Sequence, residues 1–222
     1  MAHLTTVMVF DCRRAAERDR GVQAAIDAVK RGDLVVMPTD TVYGIGADAF
    51  KEWAVTALQN AKGRGRNVPP PVLVGSRSTV DGLVFSMPQV ARDLVDAFWP
   101  GGLTIVVEHA PSLQWDLGDT NGTVGLRMPL HPIALEVLRE TGPMAVTSAN
   151  KHGLPPAMNA KDAQEQLGYA VSIYLDGGPC ADSTASTIVD VTGDVPRLLR
   201  AGAISIDKLR TVAPGTLDVD ES

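Results

Sequence analysis

The stretch TVGLRMPLHPIALEVLRETGPMAVTSAN, residues 123–150, sets the fold class. Its opening TVGLRMP is strand-like and stops at Pro129, residues 132–140 read as a helix closed by Gly142, and MAVTSAN is again apolar. Strand, helix and strand in immediate succession point to an α/β sheet, in which a helix carries the chain between strands.

The same grammar extends on both sides. Val22, Ile26 and Val29 recur at helical spacing between Arg14 and Lys30, and Gly32 stands where a C-terminal cap belongs. LVVMP, residues 34–38, is a buried strand that delivers the loop TDTVYGIGADAF. Trp53, Ala57, Leu58 and Ala61 give residues 51–61 one apolar side, and that helix leads into KGRGRN, residues 62–67. PVLVG (71–75) is the next strand. Ser86 and Gln89 have the spacing of a capping box, followed by the apolar stripe Val90, Leu94 and Phe98; PGG ends that helix and LTIVVE resumes a strand.

Beyond residue 150 the pattern gives a short helix near 161–167 and strands near 171–175, 187–192 and 197–200. The short gap at Gly193 and Asp194 requires antiparallel pairing there. No segment repeats and no linker separates two cores. The expectation is an α/β (α+β) protein: one domain over residues 1–210 with a twisted mixed parallel/antiparallel sheet and flanking helices around a cationic cleft, and a polar tail over 211–222.

Composition narrows the function. The 222 residues are 45% hydrophobic and 21% charged, as in ordinary globular proteins, and a chain of this length buries about 70–75% of its unfolded surface. A net charge of −6 argues against a broad basic face for a polyanion. Cys12 and Cys180 lack paired spacing, and His3, His109, His131 and His152 lack metal-ligand spacing, so neither disulfides nor a protein-held metal is expected. The N-terminal apolar run precedes its arginine pair, the wrong order for a secretory signal, and no run approaches a membrane span; the expected location is the cytoplasm.

Against that acidic background KGRGRN is conspicuous. Lys62, Arg64 and Arg66 alternate, so in an extended loop they share a side, with Gly63 and Gly65 permitting close backbone approach. A triphosphate suits such a loop; a solvated surface loop is the competing reading. No P-loop motif is present, so phosphate recognition would be led by side chains. Arg127, between Leu126 and Met128, needs a carboxylate or a phosphate, and a structural salt bridge is its other reading. PTDTVYGIG crowds Thr39, Asp40, Thr41 and Tyr43 onto one loop, while TSAN, STASTIVD and RLLRAG place Ser148, Asn150, Ser186 and Arg200 at strand ends.

In order, PTDTVYGIGA, KGRGR, FWPGGLTIVV, VGLRMP, TSAN, STIVD and LLRAG resemble the YrdC family of threonylcarbamoyl-AMP synthases, in its short, single-domain, actinobacterial-type form, across residues from about 20 to 205. The resemblance implies a YrdC-like fold and an ATP-dependent nucleotidyltransferase. Such an enzyme condenses L-threonine, bicarbonate or CO2, and ATP, with Mg2+, into threonylcarbamoyl-AMP and pyrophosphate. A partner complex then moves the group onto tRNA, and a weak direct tRNA contact is compatible with this. It further implies that Thr39, Tyr43, Arg127 and Ser186 contact threonine, that Lys62, Arg64, Arg66, Thr123, Ser148, Asn150 and Arg200 contact nucleotide, and that Lys62, Arg64 and Arg127 serve the chemistry. The chain departs from many relatives at Gly65, Thr147, His152, Pro156 and Ala185.

Two other readings stay open on the sequence. One is an RNA-binding module using the same basic cleft, distinguished by steep salt dependence. The other is a carbamoyl-transfer module of hydrogenase maturation, which would bring zinc-finger and acylphosphatase-like segments that this chain does not display.

Overall fold

The structure, a computed structural model, describes residues 7–221, so His3 lies outside the described residues. In chain order the elements are β1 (Met8–Asp11), α1 (Ala15–Arg31), β2 (Val35–Met37), β3 (Gly44–Asp48), α2 (Glu52–Lys62), β4 (Val72–Leu73), α3 (Gln89–Phe98) and β5 (Leu103–Glu108). They continue with β6 (Thr123–Arg127), α4 (Pro132–Thr141), β7 (Met144–Ser148), α5 (Ala160–Leu167), β8 (Ile173–Asp176), β9 (Thr187–Asp190), β10 (Arg197–Arg200) and α6 (Ile206–Val212).

The ten strands form one sheet in the order β1-β8-β2-β3-β7-β4-β6-β5-β9-β10. Parallel pairs (β1 with β8, β2 with β8, β4 with β6, β5 with β9) mingle with antiparallel ones (β2 with β3, β3 with β7, β4 with β7, β5 with β6, β9 with β10). The mixed sheet with flanking helices is therefore as expected. Alternation along β2 sends Val35 and Met37 toward α1 and α4, and Val36 toward the opposite core, which includes Val55 and Leu58 of α2 and Leu94 of α3. Helices thus cover both faces, and no helix of the described residues is long and apolar enough to cross a membrane.

Helix ends follow local rules. Gly32, at φ 91°, closes α1 in the left-handed conformation as expected, and Gly63, at φ 66°, closes α2 in the same way. The first glycine of KGRGRN thus stops a helix. A Cβ there would meet nothing within 4 Å, so close approach is not what the position requires. The capping box at Ser86 and Gln89 does not form. Pro88 occupies the N-cap, and its extended backbone starts the helix at Gln89, leaving Ser86 outside.

Two further differences matter for the site. Gly44 to Asp48, read as loop, is a central strand between β2 and β7. Glycine is a poor strand former in isolation, but here Val146 and Met144 of the neighbouring strand fill the space over Gly44 and Gly46, where a Cβ would lie 2.7–2.8 Å from their side chains. The last residues are not a free tail. Ser205 caps α6 by accepting from Lys208 N, Leu198 N donates to Leu217 O at 2.8 Å, Thr216 is buried, and Arg210 pairs with Glu221 at 2.6 Å.

Candidate functional site

A cavity of about 340 Å3 opens along the sheet where the β2–β3 loop, the segment after α2, and residues of β6, β7, β9 and β10 converge. The β2–β3 loop reaches it as a hydroxyl turn. Thr39 Oγ1 donates to Val42 O at 2.7 Å, accepts from Thr41 N at 3.1 Å, and lies 3.1 Å from Thr41 Oγ1. Both threonines are buried and border the cavity.

Three arginines border it as well: Arg64, Arg127 and Arg200. Arg127 projects from β6, where its Nη2 donates to Asp40 Oδ1 at 2.7 Å, its Nη1 to Thr41 Oγ1 at 3.0 Å and its Nε to Gly101 O at 3.0 Å. The salt bridge that the sequence left as an alternative is thus present, and Arg127 still faces the cavity. Arg200 donates to Ser186 O through Nε and Nη2, at 3.0 and 2.8 Å, and to Ser186 Oγ at 2.9 Å. Arg64 Nη1 donates to Thr147 Oγ1 and Nε to His152 Nδ1, both at 3.3 Å.

The electrostatics follow from these partners. Burial pushes all three guanidinium groups below their ordinary value; at Arg200 the charges of Arg127 and Arg64 add to it, and at Arg127 the carboxylate of Asp40 opposes it. Among the described residues, no carboxylate lies within salt-bridge distance of Arg64 or Arg200. Behind them Lys62, at 1% exposure, donates to Ser148 O and, at 3.0 Å, to Asn150 Oδ1, both neutral acceptors. Burial first, then repulsion from Arg64, pushes its amine down to about 7. An entering anion would supply the charge that these cations lack; one pair near 4 Å gains roughly 4 kcal/mol at an effective dielectric of 20, before desolvation.

Most of the residues singled out in sequence gather here. Thr39, Tyr43, Arg64, Arg127, Ser148, Ser186 and Arg200 border the cavity, with Lys62 and Asn150 directly behind Ser148. Tyr43 contributes less than expected, because its hydroxyl donates to Gly178 O at 2.6 Å and accepts from Gly177 N at 3.0 Å. The amide of Asn150 is likewise consumed by Lys151 O and Leu154 O, so this residue shapes the loop and holds Lys62.

Two expected positions lie elsewhere. Arg66 does not share the side of Arg64: the chain turns after the Gly63 cap, and Asp116 accepts both terminal nitrogens of Arg66 at 2.8 and 2.9 Å. Thr123 shares the strand face of Arg127 but lies four residues, roughly 13 Å, along β6, where its hydroxyl donates to Thr120 O. Conversely, the sequence reading passed over Thr104, buried within LTIVVE with its Oγ1 2.9 Å from Ser186 Oγ, and left Asp40 without a role. A hydroxyl inside an apolar strand was the available signal for the first, and the need of Arg127 for an acid was the signal for the second.

Comparison with known proteins shows which family the chain resembles. Residues 27–202 match the Sua5/YciO/YrdC family profile, described as telomere recombination. A Mycobacterium tuberculosis protein provisionally named threonylcarbamoyl-AMP synthase is 60% identical over 203 residues, 91% of this chain and 94% of its own length. The threonylcarbamoyl-AMP synthase of Bacillus subtilis is 35% identical over 91% of this chain and 59% of its own. The crystal structure of Pyrococcus abyssi Sua5 complexed with L-threonine superposes with a TM-score of 0.89 at 32% identity, covering 96% of this chain and 62% of that one.

Proposed function

The chain belongs to the Sua5/YciO/YrdC family, and we propose that it is an L-threonylcarbamoyl-AMP synthase, condensing L-threonine, bicarbonate or CO2, and ATP into threonylcarbamoyl-AMP and pyrophosphate. The observation that carries this reading is the uneven charge of the cavity. Among the described residues Arg64, Arg200 and Lys62 have only neutral partners, which suits a polyphosphate, whereas Arg127 is already paired with Asp40 and stands among the hydroxyls of Thr39 and Thr41, which suits an amino acid.

In the reaction, the amine of threonine adds to CO2 and releases a proton, giving a carbamate; a carbamate oxygen then attacks the α-phosphorus and pyrophosphate leaves. Arg127 would take the threonine carboxylate, with Thr39 and Ser186 beside it. Lys62, Arg64 and Arg200 would hold the phosphates, and Ser148 would orient them. Arg66 would join only by leaving Asp116. Thr123, on the same strand face, would receive the nucleoside.

The described residues group no three His, Cys, Asp or Glu side chains that could hold a metal ion, and Asp40 is bonded to Arg127. Magnesium would come with ATP, brought in on its phosphate oxygens as part of the substrate. The product is a reactive mixed anhydride. A cytoplasmic partner complex that transfers the threonylcarbamoyl group to tRNA would consume it.

The test is pyrophosphate release from Mg-ATP by the purified protein, with L-threonine and bicarbonate omitted in turn, repeated with Lys62→Ala. Release that needs both substrates and is lost in the variant is the expected result. No release from folded protein under any condition would overturn the synthase reading and favour an RNA-binding cleft.

A further inference from the structure

Asp40 does not border the cavity; it stands behind Arg127. Its Oδ1 accepts from Arg127 Nη2 at 2.7 Å and from the backbone of Leu130 at 2.8 Å, so one oxygen fixes both the guanidinium and the chain that follows β6. The two side chains are 7% and 16% exposed, so water competes weakly for the pair. Thr41 Oγ1 and Gly101 O take one N–H each, and Gly101 N returns a bond to Met128 O at 2.8 Å.

A guanidinium has five N–H donors. Three of those on Arg127 are used by protein, which leaves one hydrogen on each terminal nitrogen, enough to hold a carboxylate by both its oxygens. We infer that Asp40 is the positioning residue of this site: it fixes the orientation of Arg127 toward the amino-acid substrate and offsets its charge, so that the polyphosphate is directed to Arg64 and Arg200. The inference rests on the synthase reading and adds a source of selectivity within it. Without the carboxylate, three uncompensated arginines would line one cavity, and the triphosphate could compete for the place of threonine.

Asp40→Asn retains an oxygen for Leu130 N and removes the charge. The experiment measures KM for L-threonine and for ATP separately, by pyrophosphate release, in the wild type, Asp40→Asn, Arg127→Lys and the double variant, with melting temperatures alongside. The expected result is a threonine KM raised roughly tenfold or more by Asp40→Asn, an ATP KM moved by less than about threefold, inhibition by excess ATP, and a double variant no worse than Arg127→Lys alone. A merely structural role would raise both KM values together or lower kcat alone, and would add to Arg127→Lys; either pattern, or an unchanged threonine KM, overturns the inference while the wild-type activity keeps the synthase reading intact. A wild type without threonine-dependent release overturns that reading and this inference with it. Should Asp40→Asn not fold, Asp40→Glu, which shifts the charge by one methylene, carries the same threonine-specific expectation.

Discussion

Lys62 Nζ donates to Asn150 Oδ1 at 3.0 Å across 88 positions of sequence, and it does so from a site with no acidic partner among the described residues. The pair joins the end of α2 to the loop after β7, and His152 N strengthens the junction by donating to Lys62 O at 2.8 Å. Its acceptors among the described residues, Ser148 O and Asn150 Oδ1, are both neutral.

This gives a pH dependence of defined sign. Unfolding restores the Lys62 amine from about 7 to its ordinary 10.5, so between those values the unfolded chain holds a proton that the folded chain lacks, and the contribution of Lys62 to stability rises with pH. Below about 7 both states hold the proton and the penalty of burying it is fully present. Urea unfolding from pH 6 to 10 should show Lys62→Met gaining most on the wild type at pH 6 and losing that advantage toward pH 10. A pH-independent difference would contradict this account.

Phosphate beside Lys62 would restore its affinity for a proton. Titrating ATP into the protein at pH 8 in buffers of different ionisation enthalpy should report proton uptake, up to about one per site. Heats that do not depend on the buffer would refute the placement of the triphosphate beside this amine.

Among the described residues Arg64 and Arg200 have no carboxylate partner, so their removal should be felt by the polyanion first. Arg64→Gln and Arg200→Gln should each raise the ATP KM by roughly tenfold or more, with a smaller change for threonine. The opposite ranking, threonine before ATP, would reverse the proposed polarity of the cavity.

Tyr43→Phe tests a structural assignment. Its hydroxyl serves Gly177 N and Gly178 O, so the variant should be destabilised by about 1–3 kcal/mol, with threonine KM changed by less than about threefold. A large rise in threonine KM at unchanged melting temperature would show instead that the hydroxyl serves the substrate.

Gly202 lies behind the wall formed by Ser186. A Cβ at this position would lie 2.4 Å from Ala185 O and 2.6 Å from Ser186 C, both backbone atoms that cannot rotate away. Gly202→Ala should cost about 1–3 kcal/mol in denaturant unfolding and lower activity by displacing Ser186 and Arg200. Wild-type stability in this variant would mean that the backbone at Ala185 and Ser186 yields more readily than close packing allows.

The sequence by itself determined the alternation of helices and strands, because apolar periodicity of 3.6 or 2 is a local property of each segment, as at Val22, Ile26 and Val29 or in LTIVVE. It also determined the inventory of chemistry, since arginines and hydroxyls at strand ends are legible as letters. What it could not determine is which partner each side chain meets. Asp40 and Arg127 are 87 positions apart, and Lys62 and Ser148 are 86 apart. Only the sheet order, which places β7, β4 and β6 side by side, sets where those strand ends meet. For the same reason β3 escaped a local reading: Gly44 and Gly46 become strand only when Val146 and Met144 lie across them. Arg66 gave the converse case, a charge whose neighbours in sequence suggested a phosphate and whose neighbour in space is Asp116. Local propensity names the elements, and long-range packing decides which charges are satisfied and which are left for a ligand.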